Sequence, residues 1–401
     1  MQPNPEALPR GAGQLRDEIL QMLQEVRTLK LDTDLTSWAA PASLMLPFST
    51  TELMLHGSSF TAAGFAAAVH EPDISRRLLR VLAAQLTALS ETLSAPMMKP
   101  YNPVLGEVIA ARGGEPAAAG TGRSSAWRAV AEQVMHHPPV TAFHVAGQSG
   151  GGFFRHYGSS GAVPVFRGNS VEVKMVVKPG NTILTLEDGS EEVYQVKSLP
   201  SFCLRNVLGI GRSFCEWVGE LQIECTASGL VGRIVFEPAK MFGAGGAHRV
   251  HGSVTVGSGK DVPVLFQIAG SWTGRVVATA TNGRDEVEVL PALAGGQERS
   301  TGMTQLPQPL PYDLPPHSLS WERHPHKVWS ELTAALKAQN WAGARAAKRK
   351  VEDEQRAQRT AMQEAGTAWE PTFFEAGDGA ETWVLREGAL DRACDPDSES
   401  P

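Results

Sequence analysis

A long run of alternating apolar and polar residues fills the middle of the chain, from about Leu105 to Leu290. Val171, Val173 and Met175 alternate with charged residues, which is the period of a strand with one buried face. Gly-Asn and Asp-Gly pairs of the kind that form hairpin turns separate the candidate strands. So many antiparallel strands in one region predict a sheet that curls into a barrel. Further strand candidates are residues 182–186, 193–196, 230–236, 253–256 and 286–289.

Helical spacing of apolar residues flanks this region on both sides. Before it, residues 14–31 show one apolar face, Ser49–Glu52 fits a capping box that opens a helix, and Asp73 fits the N-cap of another. After it, residues 328–338 and 342–363 have helical spacing. The sequence therefore predicts an α+β fold, a large antiparallel β-barrel with flanking N- and C-terminal helices.

Composition shifts along the chain divide it into four predicted units. They are a flexible N-terminus (1–12), an amphipathic helix (13–33), a large domain (34–380, with the barrel at about 105–290 and C-terminal helices at about 325–365) and an acidic C-terminal tail (381–401), whose last residues, Asp391–Pro401, are expected to fray.

Charge and cysteine content exclude several classes of protein. The net charge of −7 provides no global basic field, so we expect no nucleic-acid partner. Cys203, Cys215, Cys225 and Cys394 have neither metal-ligand spacing nor the density of a disulfide framework, which indicates reduced thiols in the cytoplasm. No signal core or apolar run of membrane-spanning length is present. We expect a cytoplasmic protein without metal or cofactor that meets membranes only from the water side.

An adjacent histidine pair, His136 and His137, lies between Met135 and two prolines in the segment E-Q-V-M-H-H-P-P (Glu132–Pro139). The prolines remove two backbone donors and disfavour a helix, so the histidines are predicted at the end of an extended segment, before a stiff corner. Such imidazoles can bind phosphate, bind a metal or act in acid–base catalysis. Zinc needs three or four ligands, and only Glu132 is near in sequence. The alternative is a pair of hydrogen-bonded structural histidines.

Two further segments carry groups that suit an anionic ligand. Lys99 and Asn102 lie in K-P-Y-N-P, where two prolines predict a rigid turn, although a plain connector is the alternative. Lys348, Glu352 and Arg356 share one helical face, on which Glu352 can orient both cations. A solvated, self-paired face is the alternative for this stripe. Together the three segments predict a site for an anionic headgroup, with no P-loop or dinucleotide motif in competition.

These segments resemble the oxysterol-binding-protein-related family of lipid-binding and lipid-transfer proteins, in a short form with only the lipid-binding domain. E-Q-V-M-H-H-P-P is similar to the family's E-Q-V-S-H-H-P-P, and Lys99–Glu107 is similar to K-P-x-N-P-x-L-G-E. Gly270–Gly274 resembles G-x-W-x-G, and Lys348–Arg356 matches K-x-x-x-E-x-x-x-R. Asp34–Leu53 resembles the linker after the family's lid. The similarity runs in order from about residue 14 to about 375. Met135 departs from the family serine and lacks its hydrogen-bonding capacity.

The resemblance implies a near-closed barrel whose central tunnel encloses one lipid under a lid helix, residues 13–33. The apolar residues implied for the lid and tunnel are Leu15, Ile19, Met22, Leu23, Leu35 and Trp38. The residues implied for the headgroup of phosphatidylinositol 4-phosphate are His136, His137 and Arg356 at the 4-phosphate, and Lys99, Asn102, Lys348 and Glu352 at the rest of the inositol phosphate.

The resemblance also implies exchange between membranes rather than catalysis. One lipid would be phosphatidylinositol 4-phosphate, and the other a sterol, phosphatidylserine or another lipid, with a sterol favoured by the family. We expect a monomer that touches organelle membranes transiently, with Arg345 and Arg349 as candidate contacts. A lipid sensor that binds without net transport is the main alternative. A hydrolase with His136 or His137 as its base is a second one, for which the sequence offers no metal-ligand set.

Overall fold

The computed structural model describes residues 24, 28–36, 38, 40–93, 98–114, 124–136, 138–175, 180–208, 212–239, 248–259, 261–299, 302–377 and 382–395. Leu15, Ile19, Met22 and Leu23 of the predicted lid, and the second histidine, His137, lie outside the described residues.

Six α-helices lie in the described residues, and two of them begin where the sequence predicts. They are α1 (Thr50–Ala68), α2 (Ile74–Glu91), α3 (Pro325–Val328), α4 (Ser330–Lys337), α5 (Trp341–Ala365) and α6 (Ala389–Cys394). At the start of α1, the Ser49 hydroxyl accepts from the Glu52 backbone N–H and the Glu52 carboxylate accepts from the Ser49 N–H, which confirms the capping box. The Asp73 carboxylate accepts from two backbone N–H groups and caps α2. Within the described part of the chain, no helix is both long and apolar enough to cross a bilayer.

Nineteen strands account for most of the rest of the described chain. They are β1 (Met45–Ser49), β2 (Lys99–Tyr101), β3 (Val108–Gly113), β4 (Ser125–His136), β5 (Pro139–Ser149), β6 (Gly152–Ser160), β7 (Ala162–Phe166), β8 (Ser170–Met175), β9 (Asn181–Thr185), β10 (Glu191–Ser198), β11 (Ser201–Arg205), β12 (Phe214–Cys225), β13 (Leu230–Phe236), β14 (Arg249–Val256), β15 (Val264–Ser271), β16 (Val276–Ala280), β17 (Glu286–Leu290), β18 (Phe374–Ala376) and β19 (Trp383–Leu385).

Fifteen of these described strands form one antiparallel sheet, which confirms the predicted fold class. The main path runs β17-β16-β15-β14-β13-β12-β10-β9-β6-β5-β4-β3, and β11, β8 and β7 extend it from β12. The end strands β17 and β3 do not pair with each other in the described residues, so hydrogen bonds between these strands do not close the sheet into a barrel. On the open edge of β3, Arg112 exchanges backbone hydrogen bonds of 2.9 and 2.8 Å with Asp313. This contact covers an edge that would otherwise be open to another strand.

The main apolar core lies between the sheet and the helices α1 and α2. Leu55 and Phe65 of α1 and Leu78 of α2 are fully buried against sheet residues such as Phe154 and Ile234. Period-two strands give the sheet one apolar face, and the amphipathic α2 covers part of it. The two helices therefore brace the sheet, and neither of them lines the cavity of the candidate site described below.

The end of the predicted lid helix is wrong by several residues. Residues 28–33 form turns, and Asp32 has a left-handed backbone with φ of 66°. The Asp32 N–H donates to the Phe166 carbonyl at 2.9 Å, and the Leu35 N–H donates to the Pro164 carbonyl at 2.8 Å. Pairing with β7 thus takes this stretch out of the helix and buries Leu35 beneath it.

The predicted fraying is also wrong for residues 391–395, because residues 382–395 fold onto the sheet. β19 pairs with β18, and α6 buries Leu390 and Cys394 in an apolar cluster with residues of β3 and β4. The Asp391 carboxylate accepts from Arg128 at 2.5 Å. Acidic composition predicted fraying, but the apolar face of α6 and this ion pair hold the segment in place.

Candidate functional site

A cavity of about 510 Å³ lies between helix α5, the β4–β5 hairpin, strands β2 and β7, and the segment that follows the predicted lid. It brings together most of the predicted headgroup residues, with apolar side chains around them. Its lining includes Leu35, Trp38, Met45, Lys99, Asn102, Leu105, His136, Pro164, Trp329, Leu332, Lys348, Glu352, Gln355, Arg356, Gln358, Arg359 and Met362.

The K-P-Y-N-P segment is rigid because it is held on two sides. Strand β2 pairs in parallel with β1, and the Tyr101 ring stacks on the Trp329 indole with 4.7 Å between ring centroids. The Tyr101 hydroxyl lies 2.8 Å from the hydroxyl of Thr333. With Tyr101 buried, its neighbours Lys99 and Asn102 are left exposed on the cavity wall.

A backbone turn at Gly106 joins this segment to the histidine segment. The Gly106 N–H donates to the Gln133 carbonyl, and the Gln133 N–H donates to the Glu107 carbonyl, both at 2.8 Å. Gly106 has φ of +78°, and a Cβ there would lie 2.1 Å from the Trp369 ring. Only glycine satisfies both conditions without strain, so the L-G-E turn depends on it.

The histidine segment forms a hairpin whose bulge is braced from inside, as the predicted stiff corner requires. β4 ends at His136, β5 begins at Pro139, and the pairing shifts register between Gln133 and Met135. The Gln133 amide donates to the Met135 carbonyl at 2.8 Å and accepts from the Thr141 hydroxyl at 2.5 Å. Bulges commonly re-aim a side chain, and here the strand ends with His136 on the cavity wall.

Glu132 and Met135, which flank the bulge, are structural in this arrangement. The Glu132 carboxylate is fully buried and accepts from the backbone N–H groups of Thr372 and Phe373 at 2.7 and 2.8 Å. Burial raises its pKa despite these bonds. Met135 packs against an apolar cluster that includes Phe373. Both carboxylate oxygens of Glu132 therefore already accept hydrogen bonds. In the described ranges, no group of three or more His, Cys, Asp or Glu could hold a metal.

Helix α5 presents Lys348, Glu352 and Arg356 to the cavity, as the spacing predicts, but the charges pair differently. Lys348 Nζ lies 2.5 Å from the Glu352 carboxylate. Arg356 pairs with Asp353 instead, so the expectation that Glu352 orients both cations is wrong for Arg356. Asp353 is one helical turn away from Arg356 and, like it, is exposed to solvent.

The lining of the cavity is cationic although the chain is acidic overall. Lys99, Lys348, Arg356 and Arg359 face one carboxylate, Glu352, in a chain of net charge −7. The Lys99 side chain reaches the solvent of the cavity, but the surrounding walls shield it and lower its pKa, and the nearby Lys348 lowers the pKa further. An anion between these amino groups would offset both effects.

A buried carboxyl network lies beneath the cavity. Glu107 is fully buried and accepts from the Thr51 hydroxyl and from the Trp329 indole N–H, each at 2.6 Å. Burial raises its pKa to about 7, although these bonds oppose the rise. Because Trp329 also lines the cavity, this network fixes part of its floor.

Gln355, Trp329 and Arg359 are among the cavity residues that the sequence did not indicate. The Gln355 amide nitrogen lies 3.0 Å from Nδ1 of His136. A signal for it was present, since Gln355 follows Lys348 by seven positions and therefore lies on the same helical face. Trp329 carries no comparable signal, because its partners Tyr101 and Glu107 are more than two hundred residues away.

Comparison with known proteins gives a match over almost the whole chain. The family model described as oxysterol-binding protein matches residues 23–393. The chain belongs to the oxysterol-binding protein family. The matching model is named for the binding of oxysterols, which is ligand binding rather than catalysis.

Individual members of the family resemble the chain at moderate identity. A probable transporter, efuK, from Hormonema carpetanum is 29% identical over 92% of this chain, which spans about half (50%) of that relative's length. The fold is similar to the Osh1 ORD domain in complex with cholesterol, with TM-score 0.68, 21% identity and coverage of 93% of this chain and 89% of the other. It is also similar to the Osh3 ORD in complex with PI(4)P from Saccharomyces cerevisiae, with TM-score 0.63, 21% identity and coverage of 92% and 90%.

Proposed function

We propose that this chain binds one lipid at a time and carries it between membranes, exchanging phosphatidylinositol 4-phosphate for a sterol or another lipid. The observation that carries the proposal is the cationic cavity, in which Lys99, His136, Lys348 and Arg356 surround a space of about 510 Å³. That volume is in the range of small-ligand pockets and suits a phosphorylated headgroup. A phosphate removed from water needs several charge-assisted donors, and this wall supplies them.

The assignment of roles follows the predicted site. His136, His137 and Arg356 would hold the 4-phosphate, and Lys99, Asn102, Lys348 and Glu352 would contact the rest of the inositol phosphate. Leu35, Trp38 and Met45 on the same wall would meet the apolar part of the ligand. The sterol is supported by a relative of the same fold that holds cholesterol. Residues 13–33 remain the predicted lid.

The proposed setting is the cytoplasm, with transient contact at organelle membranes and the chain acting as a monomer. Release of a lipid requires the cavity to open at a membrane, where a basic rim attracts anionic lipids. Arg345 and Arg349 on helix α5 are candidates for that rim. The alternative, a sensor that binds lipid without net transport, shares the same cavity, so only a transfer measurement separates the two.

The test is extraction of labelled phosphatidylinositol 4-phosphate from liposomes, with labelled sterol in a separate run. We compare wild type, His136→Ala/His137→Ala, Arg356→Ala and Lys350→Ala. Lys350 is the matched control, because it lies on the same helix but outside this cavity. Removal of a hydrogen bond to a charged group costs about tenfold or more in affinity, so Arg356→Ala is expected to lose phosphoinositide extraction while Lys350→Ala keeps it.

Two outcomes count against the proposal. Equal extraction by Arg356→Ala and Lys350→Ala would remove the headgroup site from this cavity. Extraction without vesicle-to-vesicle transfer would favour the sensor. Sterol extraction that survives in the double histidine variant would support two ligands with separate polar contacts.

A further inference from the structure

Gln355 lies at the boundary between two cavities and contacts one predicted ligand-binding residue directly. It lines the headgroup cavity and also a second cavity of about 520 Å³ that shares Leu332 and Gln358 with the first. Its amide nitrogen is 3.0 Å from Nδ1 of His136, and the side chain is partly buried. This contact joins helix α5 to the end of strand β4 across 219 positions of sequence.

The direction of this hydrogen bond determines where His136 carries its proton. An amide nitrogen only donates, so Nδ1 of His136 accepts from Gln355. In a neutral imidazole with Nδ1 as acceptor, the proton is on Nε2. Nε2 is then an N–H donor, which is the form that a phosphate oxygen needs. The opposite tautomer would turn a nitrogen lone pair toward the phosphate.

We propose that Gln355 is a positioning residue for the headgroup site, because it orients the imidazole of His136 and keeps the proton on Nε2. The inference rests on the proposed function in one respect, namely that His136 binds phosphate. The amide suits this role better than a carboxylate, since its nitrogen donates to Nδ1 of the neutral imidazole, which a carboxylate cannot do. Phosphoinositide binding is therefore expected to persist at pH values at which His136 is neutral.

A carboxylate at position 355 cannot donate to Nδ1 of His136, so this substitution tests the inference. In Gln355→Glu the side chain only accepts, which favours a proton on Nδ1 and raises the pKa of His136. Below that raised pKa the imidazolium still presents Nε2–H and binds phosphate. Above it the remaining proton sits on Nδ1 and binding falls. The other charged groups around the cavity, Lys99 on β2 and Lys348, Glu352, Arg356 and Arg359 on α5, are common to all variants.

The experiment compares Gln355→Met and Gln355→Glu with Gln358→Met and Gln358→Glu. Gln358 is the matched control, because it is on the same helix, lines the same two cavities and is similarly half-buried. The first readout is the imidazole nitrogen shifts of His136 by NMR in the free protein. The second is binding to vesicles that contain phosphatidylinositol 4-phosphate, measured as a function of pH.

The Nε2–H tautomer is expected in wild type and both Gln358 variants, and the Nδ1–H tautomer in Gln355→Glu. Gln355→Met is expected to weaken binding about fivefold, as for loss of one hydrogen bond. Gln355→Glu is expected to bind at acidic pH and lose binding as the pH rises, whereas Gln358→Glu should show one uniform decrease.

The inference and the proposed function fail in different ways. Identical His136 tautomers and pH profiles for the Gln355 and Gln358 pairs would overturn the positioning role, even in a protein that binds the lipid. No binding by wild type at any pH would instead overturn the proposed function, while the nitrogen shifts still report whether Gln355 sets the tautomer. If Gln355→Met does not fold, Gln355→Glu carries the test alone.

Discussion

The indole of Trp329 donates to the carboxylate of Glu107 at 2.6 Å, although the two residues are 222 positions apart. The same indole stacks on Tyr101 and forms part of the cavity lining. Trp329 thus ties the C-terminal helices to the turn that displays Lys99 and Asn102. The stability of the cavity floor and the ionisation of Glu107 are therefore linked.

Glu107→Gln is expected to flatten the pH dependence of stability. The pKa of Glu107 is about 7 in the folded protein against 4.5 for an ordinary glutamate, so the folded state holds the proton more tightly than the unfolded state. The stabilisation from this proton is fully present below about pH 4.5. The free energy of unfolding of wild type should therefore fall by about 3 kcal/mol as the pH rises from there to about 7, at roughly 1.4 kcal/mol per pKa unit. Urea denaturation across this pH range measures the change in the free energy of unfolding. Glu370→Gln is the control, because Glu370 is exposed. An equal slope in Glu107→Gln and wild type would contradict the shift.

Gly106→Ala is expected to destabilise the protein far more than Gly189→Ala. Both glycines have a left-handed backbone, with φ of +78° and +83°, but a Cβ at Gly189 meets nothing within 4 Å. The control therefore carries only the backbone cost of about 1 kcal/mol. The clash with Trp369 at Gly106 should add about 2 kcal/mol. Denaturation midpoints compare the two variants, and similar midpoints would show that Trp369 moves aside freely.

Asp353→Asn is expected to tighten binding of phosphatidylinositol 4-phosphate, because it releases Arg356 from its partner. Both side chains are more than half exposed, at 55% and 59%, so the pair is worth at most about 1 kcal/mol and the gain at most about fivefold. Vesicle co-sedimentation at two salt concentrations measures it. Glu354→Gln removes the same charge from the same helix. An equal gain in that control would attribute the effect to net charge alone.

Met135→Ser, which restores the family residue, is expected to lower stability by about 1 kcal/mol without improving lipid binding. Met135 packs against the apolar cluster around Phe373, and a serine there loses that burial. Met135→Leu keeps the burial and should be close to wild type. Thermal unfolding and liposome extraction together provide the readout. A several-fold increase in extraction by the serine variant would show that the hydroxyl makes a contact that methionine prevents.

Local sequence signals predicted the elements of the fold well. The capping box at Ser49 and the N-cap at Asp73 depend on residues two or three positions away, and both form as predicted. The prolines after His137 likewise predicted where the extended segment ends, and β4 ends at His136. These features depend on backbone chemistry that operates within one turn of chain.

Pairing between distant side chains could not be predicted in this way. Spacing placed Glu352 between two cations, yet Arg356 pairs with the equally close Asp353. The bond from Gln355 to His136 requires the relative position of α5 and β4, which depends on packing of the whole barrel. The acidic tail gave a misleading signal, because the apolar side of α6 finds its partner only on the folded sheet.

The cavity lining extends from Leu35 to Thr367, so its walls come from both ends of the domain. A chain made on the ribosome can pair β3 through β17 before helix α5 has emerged. At that stage Lys99, Asn102 and His136 lie on a largely assembled barrel, but the helix that carries Lys348 and Arg356 has not yet been made. Translation that stops before Trp341 would leave a nascent protein with much of its sheet but without the helix that supplies Lys348 and Arg356, so this cavity would form only after helix α5 is made.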